Sequence, residues 1–459
     1  MELVFKGFWY LPNNKENKCL GTLTIRKNES CELELVGALN NKRDFNIVFE
    51  PSIILGVTVD GKLITLFKTF ETSRTHSVPG SITSKYSIRY VLKGNHFENE
   101  EQLIFDKIIC RFHYLKDWIN IYGFQTVDND NNKILIEYQR PNELQFKVDD
   151  KMNASFNFII NAPVHKYTHK AVIEQDVELA MTPKSEIPIS QLLTYIWHFQ
   201  NFISLAVFEP ISIINCAVVN SKKGDLIGNT LVPTSIDLYY VENINSFKNK
   251  NRHFREFLFS YDDIKLDFEK IIQKWFNQKV TMDSITDLFF YNFNNPKKFD
   301  VNSFLNIIHA VETFHRRFYL NESISKEEHK IRLKTIIKSV PEIYHTWIET
   351  KLGFSNEPSL QERLEVLLEL ISVDFLKLFI EDKEKFIKQL KDSRNYYTHY
   401  STDLKKKALP IFELYSLTER LKIILIFLIL YKTGFADSQI IELIKRNQYR
   451  IIGHIICSK

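Results

Sequence analysis

The run Val57-Thr58-Val59-Asp60-Gly61-Lys62-Leu63-Ile64-Thr65-Leu66 sets the character of the first half of the chain. Apolar and polar side chains nearly alternate on either side of Asp60-Gly61, a turn pair suited to a tight β-hairpin. The same pattern extends outward to 20–25, 31–36, 65–72, 86–92, 103–113, 134–138 and 155–160. Turn residues at Asn40-Asn41, Pro79-Gly80 and Gly94-Asn95 divide these strands. A helical turn is expected at 115–122, around Trp118. A second β stretch opens near Ala171, with one helix at 190–207 for which Ser190 is the expected N-cap. Strands resume at 211–219 and 236–241, and 243–251 reads as a polar loop.

From about Tyr261 the apolar period changes from two to three or four. Helices are expected at 262–276 and 283–291, then, after a polar break at 292–298, at 301–320, 326–339, 342–352, 360–380, 383–398, 411–431 and 438–445. Pro341, Gly353, Pro358, Pro410 and Gly434 fall between them. The expected fold is α+β and multidomain. A β-rich region of sandwich- or barrel-like sheets spans 1–255, in one lobe or in two divided near 165. A helical linker spans 256–298 and an all-α bundle 299–459.

At 459 residues the chain exceeds one ordinary domain, and 44% hydrophobic and 13% aromatic side chains supply large cores. The net charge is only +4, so a nucleic-acid surface would have to be a local patch. Cys19, Cys31, Cys110, Cys216 and Cys457 form no Cys-x-x-Cys and suit a reducing compartment. The first residues lack a basic-then-apolar leader, and the longest apolar run, 423–431, is far below the ~20 residues that span a bilayer. A cytoplasmic protein without membrane association is expected.

The one candidate reaction centre is Ser393-Arg394-Asn395-Tyr396-Tyr397-Thr398-His399-Tyr400. Arg394 offers a planar fork of donors to a phosphate under attack, and His399 can move a proton near neutral pH. RNA supplies its own 2′-hydroxyl nucleophile, so no metal or other cofactor is called for. The expected products are a 2′,3′-cyclic phosphate and a 5′-hydroxyl. Five residues of α-helix turn through about 500°, which sets Arg394 and His399 ~140° apart. They meet only if the helix ends or distorts near Tyr397, or if a second subunit completes the site; a composite site across a two-fold axis is the expectation. Asn395 would orient the arginine, and Tyr397 or Thr398 would touch ribose or phosphate. Lys405, Lys406 and Lys407 read either as RNA-backbone contacts or as a solvated loop.

Gly7-Phe8-Trp9-Tyr10-Leu11-Pro12, Gly21-Thr-Leu-Thr, Tyr90-Val-Leu-Lys-Gly94-Asn-His96-Phe97 and Leu115-x-x-Trp118, followed by Arg394-Asn395-x-x-x-His399, together resemble ApeA proteins. These are prokaryotic anti-phage proteins with a β-rich N-terminal region and a C-terminal HEPN ribonuclease domain. The resemblance implies that Arg394, Asn395 and His399 are catalytic, and that Glu312 is the acidic residue of the first HEPN helix. It further implies an RNA substrate such as tRNA, a homodimer or higher homo-oligomer formed through the HEPN domain, and abortive infection as the outcome. A toxic nuclease has to be restrained until a trigger arrives, and a phage-derived trigger fits. The competing reading is a non-catalytic HEPN scaffold that binds RNA or protein.

Other candidates read as structural. His309 and His315 lie six residues apart, ~240° around their helix, and do not make a metal pair. Glu312 is expected to pair with Arg316 at i+4, or to reach Arg394 and fix its rotamer. His165 and His169 read as a loop pair, and Trp9, Trp118 and Trp197 as core anchors.

Overall fold

The computed structural model describes residues 2–26, 30–40, 50–130, 133–162, 172–227, 230–240, 253–294 and 299–447. His165, His169, the loop at 243–251, Cys457 and residues 295–298 of the expected boundary lie outside them. The chain forms two compact units, Met1–Phe276 and Asn277–Lys459.

The first unit opens with β1 (Glu2–Leu11), β2 (Asn14–Arg26), β3 (Ser30–Val36), β4 (Ile53–Thr58), β5 (Leu63–His76) and β6 (Ile82–Lys93). β1 pairs with β2, β2 with β3, β3 with β6, β6 with β5, β5 with β4, and β4 with β1, all antiparallel. The six strands therefore close into a barrel and leave no edge within it. Period-two alternation fills its interior: Leu23 faces Leu33 and Leu33 faces Tyr86, each 0% exposed.

The Val57–Leu66 hairpin closes one side of the barrel. Val57 and Leu63 are partners, Gly61 takes φ +79°, and the Thr58 hydroxyl donates to Asp60 Oδ1 (2.6 Å) while accepting from Lys62 N (2.8 Å). Gly56, just ahead, is a contact glycine. A Cβ there would lie 2.3 Å from the indole of Trp9, which is wholly buried, and the Gly56 carbonyl is bonded by His96 Nε2 at 2.8 Å. Gly56→Ala should lower stability by ~1–3 kcal/mol through overpacking; a urea unfolding curve with unchanged slope and a lower midpoint is the expected record.

The chain continues through β7 (Ile104–Phe105), β8 (Lys107–Phe112), β9 (Phe124–Asp130), β10 (Lys133–Tyr138), β11 (Leu144–Lys147), β12 (Met152–Asn161), β13 (Glu174–Pro183), β14 (Ile187–Pro188), β15 (Ile213–Ile227) and β16 (Thr230–Tyr240), of which β9 pairs with β10 and β7 with β14 in two small sheets apart from the large one. β6 bridges the barrel to the rest: it pairs along one side with β5, and on the other with β3 and then β16. The order from β6 is β16-β15-β8-β13-β12-β11. β8 sits between β13 and β15, so strands from both sides of residue 165 share one sheet.

Among the described residues the α-helices of this unit are α1 (Leu115–Ile119), α2 (Ile189–Val207), α3 (Tyr261–Ile264) and α4 (Phe268–Asn277). Pro188, not Ser190, caps α2. Ile189 already starts the buried face, and a proline costs no hydrogen bond at a helix start. Trp118 on α1 is fully buried and donates to the Phe259 carbonyl at 3.0 Å. The helix expected at 262–276 is broken into α3 and α4. Trp275 Nε1 donates to the His198 carbonyl, and His198 Nε2 bonds the Trp275 carbonyl, both at 3.0 Å. Those bonds tie α4 to α2, while α5 (Lys279–Asn294) belongs to the second unit. The described residues of the expected linker, 256–294, thus divide between the two units.

The second unit adds α6 (Val301–Phe318), α7 (Lys326–Lys338), α8 (His345–Leu352), α9 (Leu360–Glu369), α10 (Val373–Leu376), α11 (Lys383–His399), α12 (Thr402–Lys405), α13 (Ile411–Thr433) and α14 (Asp437–Arg446). Residues 423–430 of α13 are each at most 1% exposed, which makes it the central helix of the unit. Among the described residues no helix is long and apolar enough to cross a membrane.

Candidate active site

Helix α11 starts on Asp382, whose side chain accepts from Lys385 N, and stops where Tyr400 turns left-handed (φ 49°). Its buried residues are Phe386, Ile387, Leu390 and Ser393, a helical i, i+3, i+4 stripe. Arg394 and Tyr397 continue that stripe. Arg394 is therefore drawn inward, with its side chain 26% exposed, and His399 faces out and is exposed. The helix stays regular to its end, so the ~140° separation expected from the spacing persists within one chain.

Arg394 is held from α6. Its Nη2 lies 3.4 Å from Glu312 Oε2 and its Nη1 3.4 Å from Asn395 Oδ1. Both bonds are long, and its buried Nε has no partner among the described residues; the two Nη groups keep further N–H donors. Glu312 sits between two cations, with Arg316 Nη2 also at 3.4 Å, and its side chain is only 15% exposed. Glu312 therefore contacts both arginines at once.

Behind this pair lies a set of residues that no sequence motif marks. Arg316 Nη1 reaches Glu357 Oε2 at 2.6 Å. Arg363 on α9, 1% exposed, reaches the same oxygen at 3.4 Å and contacts His315 Nδ1 at 3.1 Å. Burial, and then the Arg363 and Arg316 charges, push the His315 pKa below its usual 6.5. A neutral ring is the form that accepts from Arg363. The unfolded chain takes up a proton near pH 6.5 that the folded His315 refuses. Its contribution to stability is thus full above that pH and is lost on acidification; thermal unfolding at descending pH should show this unit weakening, and less so in His315→Asn. His309 has other neighbours: burial first, then Arg394, holds its pKa down, with Glu312 opposing. The two histidines thus face different arginines, and among the described residues no group of three His, Cys, Asp or Glu is placed to hold a metal.

The remaining candidates divide. The Tyr397 hydroxyl is committed to the Leu409 carbonyl (2.8 Å), and Ser393 Oγ accepts from Leu409 N (3.2 Å). Tyr397 therefore anchors the loop at Leu409. Thr398 is exposed and donates back to the Arg394 carbonyl at 2.7 Å. Pinning Leu409 folds residues 400–409 back along α11. Lys405 at the end of α12, and Lys406 and Lys407 just after it, all exposed, thereby belong to the same short segment that follows His399.

Two family models match the sequence. ApeA N-terminal domain 1 matches residues 4–275 and Apea-like HEPN matches residues 305–439. No curated protein and no solved structure matches it.

Proposed function

The chain belongs to the ApeA family and carries its HEPN domain, the mark of a HEPN-type defence protein, and from that premise we propose that the helical unit is a metal-independent endoribonuclease. The 2′-oxygen attacks the adjacent phosphorus, the bond to the 5′-oxygen breaks, and a 2′,3′-cyclic phosphate is left. Arg394 stabilises the charge on the equatorial oxygens of the phosphorane. His399 carries a proton from the nucleophile or to the leaving oxygen. Asn395 and Glu312 set the rotamer of Arg394, and Lys405 to Lys407 meet the RNA backbone.

The observation that carries this reading is the inward, carboxylate-held Arg394 with an unused donor, one helix turn and a half before an exposed imidazole. Because the two diverge on one helix, the working site combines residues of two copies. tRNA is the proposed substrate, and the barrel-bearing unit is proposed to sense a phage-derived trigger that releases the activity.

The same divergence within one chain favours the second reading, a HEPN scaffold that binds RNA without cutting it. Purified protein incubated with end-labelled total RNA in EDTA separates the two. Cleavage leaving cyclic-phosphate ends supports the nuclease. Retention of intact RNA, together with harmless overexpression of the wild-type chain, supports the scaffold.

A further inference from the structure

Between α6 and α9 the chain makes an excursion that is sealed at its base. Asn356 accepts from Ser323 N through its carbonyl (2.8 Å) and from Ile324 N through its side chain (3.1 Å), and its amide donates back to Ile324 O (2.9 Å). Beyond this clasp stand α7, a short 3-10 turn at Glu342–Tyr344, and α8, none of them with a buried residue. α7 packs on α8. The half-buried apolar side chains are Leu333, Ile336 and Ile337 on the first helix and Ile348 and Leu352 on the second. The core places no demand on the outer residues of this arm.

Those residues follow a pattern. From His329 to Pro341 the chain holds Lys330, Arg332, Lys334 and Lys338 and no carboxylate, a local charge as large as the net +4 of the whole protein. Lys330, Lys334 and Lys338 recur every four residues. Each such step climbs ~6 Å along a helix and turns it by ~40°, so the three form one row on a flank of α7, ~100° around from Leu333, Ile336 and Ile337. All three are exposed, and among the described residues none has an ion-pair partner. Lys326, which would extend the row, is taken by Glu322 at 3.1 Å. Arg332 lies on the opposite flank, four residues after Glu328. The arm's acids stand outside the basic stretch. Glu327 and Glu328 fall in the first turn of α7, where the positive end of the helix favours them. Glu342 belongs to the 3-10 turn and Glu349 to α8, near Lys351. Rings stand at both ends of the row. Tyr344, 50% exposed, and Trp347, 60%, come at the turn that follows Lys338, and Phe354, 81%, comes where the chain returns to the clasp.

Evenly pitched cations fit a polyanion whose charges recur at a similar interval, as they do along a nucleic-acid strand. Acids on a folded protein partner have no such period. Exposed rings beside the row suit unpaired bases, which stack on aromatic side chains, whereas a duplex keeps its bases inside. An anionic membrane is a poorer match, because the apolar side of α7 that would enter it is turned to α8. We propose that the arm at residues 325–355 grips an unpaired stretch of RNA away from the bond that is cut, with phosphates along Lys330, Lys334 and Lys338 and bases on Tyr344 and Trp347. Asn356 of the clasp is followed by Glu357, which holds Arg316; Arg316 holds Glu312, and Glu312 holds Arg394. The base of the arm thus adjoins the arginine. The consequence for cleavage, selection of RNA by an unpaired segment beside the scissile bond, rests on the ribonuclease reading above; the grip itself does not.

The full chain carrying His399→Ala, so that RNA stays intact, is titrated with a labelled oligouridine and with a blunt RNA duplex of equal length at several salt concentrations. Lys330→Gln/Lys334→Gln/Lys338→Gln and, separately, Tyr344→Ala/Trp347→Ala are added to it, each checked for native circular dichroism. Oligouridine should bind more tightly than the duplex. The lysine variant should lose at least ~10-fold in affinity and lower the slope of log K against log salt by ~2, the share of three phosphates on a single strand. The ring variant should lose at least ~10-fold at an unchanged slope. A chain that does not bind oligouridine, that holds the duplex as tightly, or that binds as well without the lysines or the rings overturns the proposal. So does a lysine variant that keeps the RNA but no longer sediments with phosphatidylglycerol vesicles, since the row would then serve a membrane. Arm-dependent binding together with a wild type that cuts no RNA upholds the grip and removes only the ribonuclease reading; cleavage with arm-independent binding does the reverse.

Discussion

His399→Ala should cut RNA ~10²–10⁴-fold more slowly than the wild type while folding normally, the range that a positioned proton carrier supplies. The side chain is exposed at the last position of α11, and the helix stop is made by the backbone of Tyr400 rather than by the imidazole. Its removal therefore takes away chemistry and little else. Initial rates on labelled RNA in EDTA give the number, and relief of growth arrest on overexpression gives an independent reading in cells. A variant within a few-fold of wild type on both counts would mean that another group moves the proton and that the assignment of His399 is wrong.

Arg394→Lys should lose nearly as much, ~10²–10³-fold, the usual effect of removing one oriented donor from a developing oxyanion. Lysine keeps the charge but not the planar fork that grips two phosphate oxygens. The loss should fall on the chemical step. Arg394→Ala should be no better, and the unit should stay folded in both, because Glu312 keeps Arg316 as a counter-charge and is not left as an unpaired buried carboxylate. Glu312→Gln is the companion. It keeps the shape but frees the arginine from its ion pair, so single-turnover cleavage should fall less than in Arg394→Lys. Full activity in Glu312→Gln would remove Glu312 from the site.

Much of this centre could be read along the chain because it depends on spacing. The i, i+3, i+4 stripe from Phe386 to Ser393 shows which side of α11 is buried, and counting on from it turns Arg394 in and His399 out. The pairing of Glu312 with Arg316 is likewise an i+4 rule. The contact between Glu312 and Arg394 crosses 82 positions, and that between Arg363 and His315 crosses 48. The first follows from what a phosphate-binding arginine needs to hold it. Nothing local points to the second, because a buried arginine is indistinguishable in sequence from the many on surfaces. Nor does anything local announce that Leu409 folds back to take the Tyr397 hydroxyl.

The order of β then α, the Asp60-Gly61 turn and the Arg394-to-His399 spacing were all determined by the sequence alone, because periods of two and 3.6, turn chemistry and helix angle act between near neighbours. Closure of six strands into a barrel, the sharing of β6 between that barrel and the rest of the sheet, the division of 256–294 between two units, and the ion pairs behind Arg394 were decided only in the tertiary structure. Each depends on which distant apolar faces and charges exclude water together, and burial of that kind is a property of the packed chain, carried by no single segment.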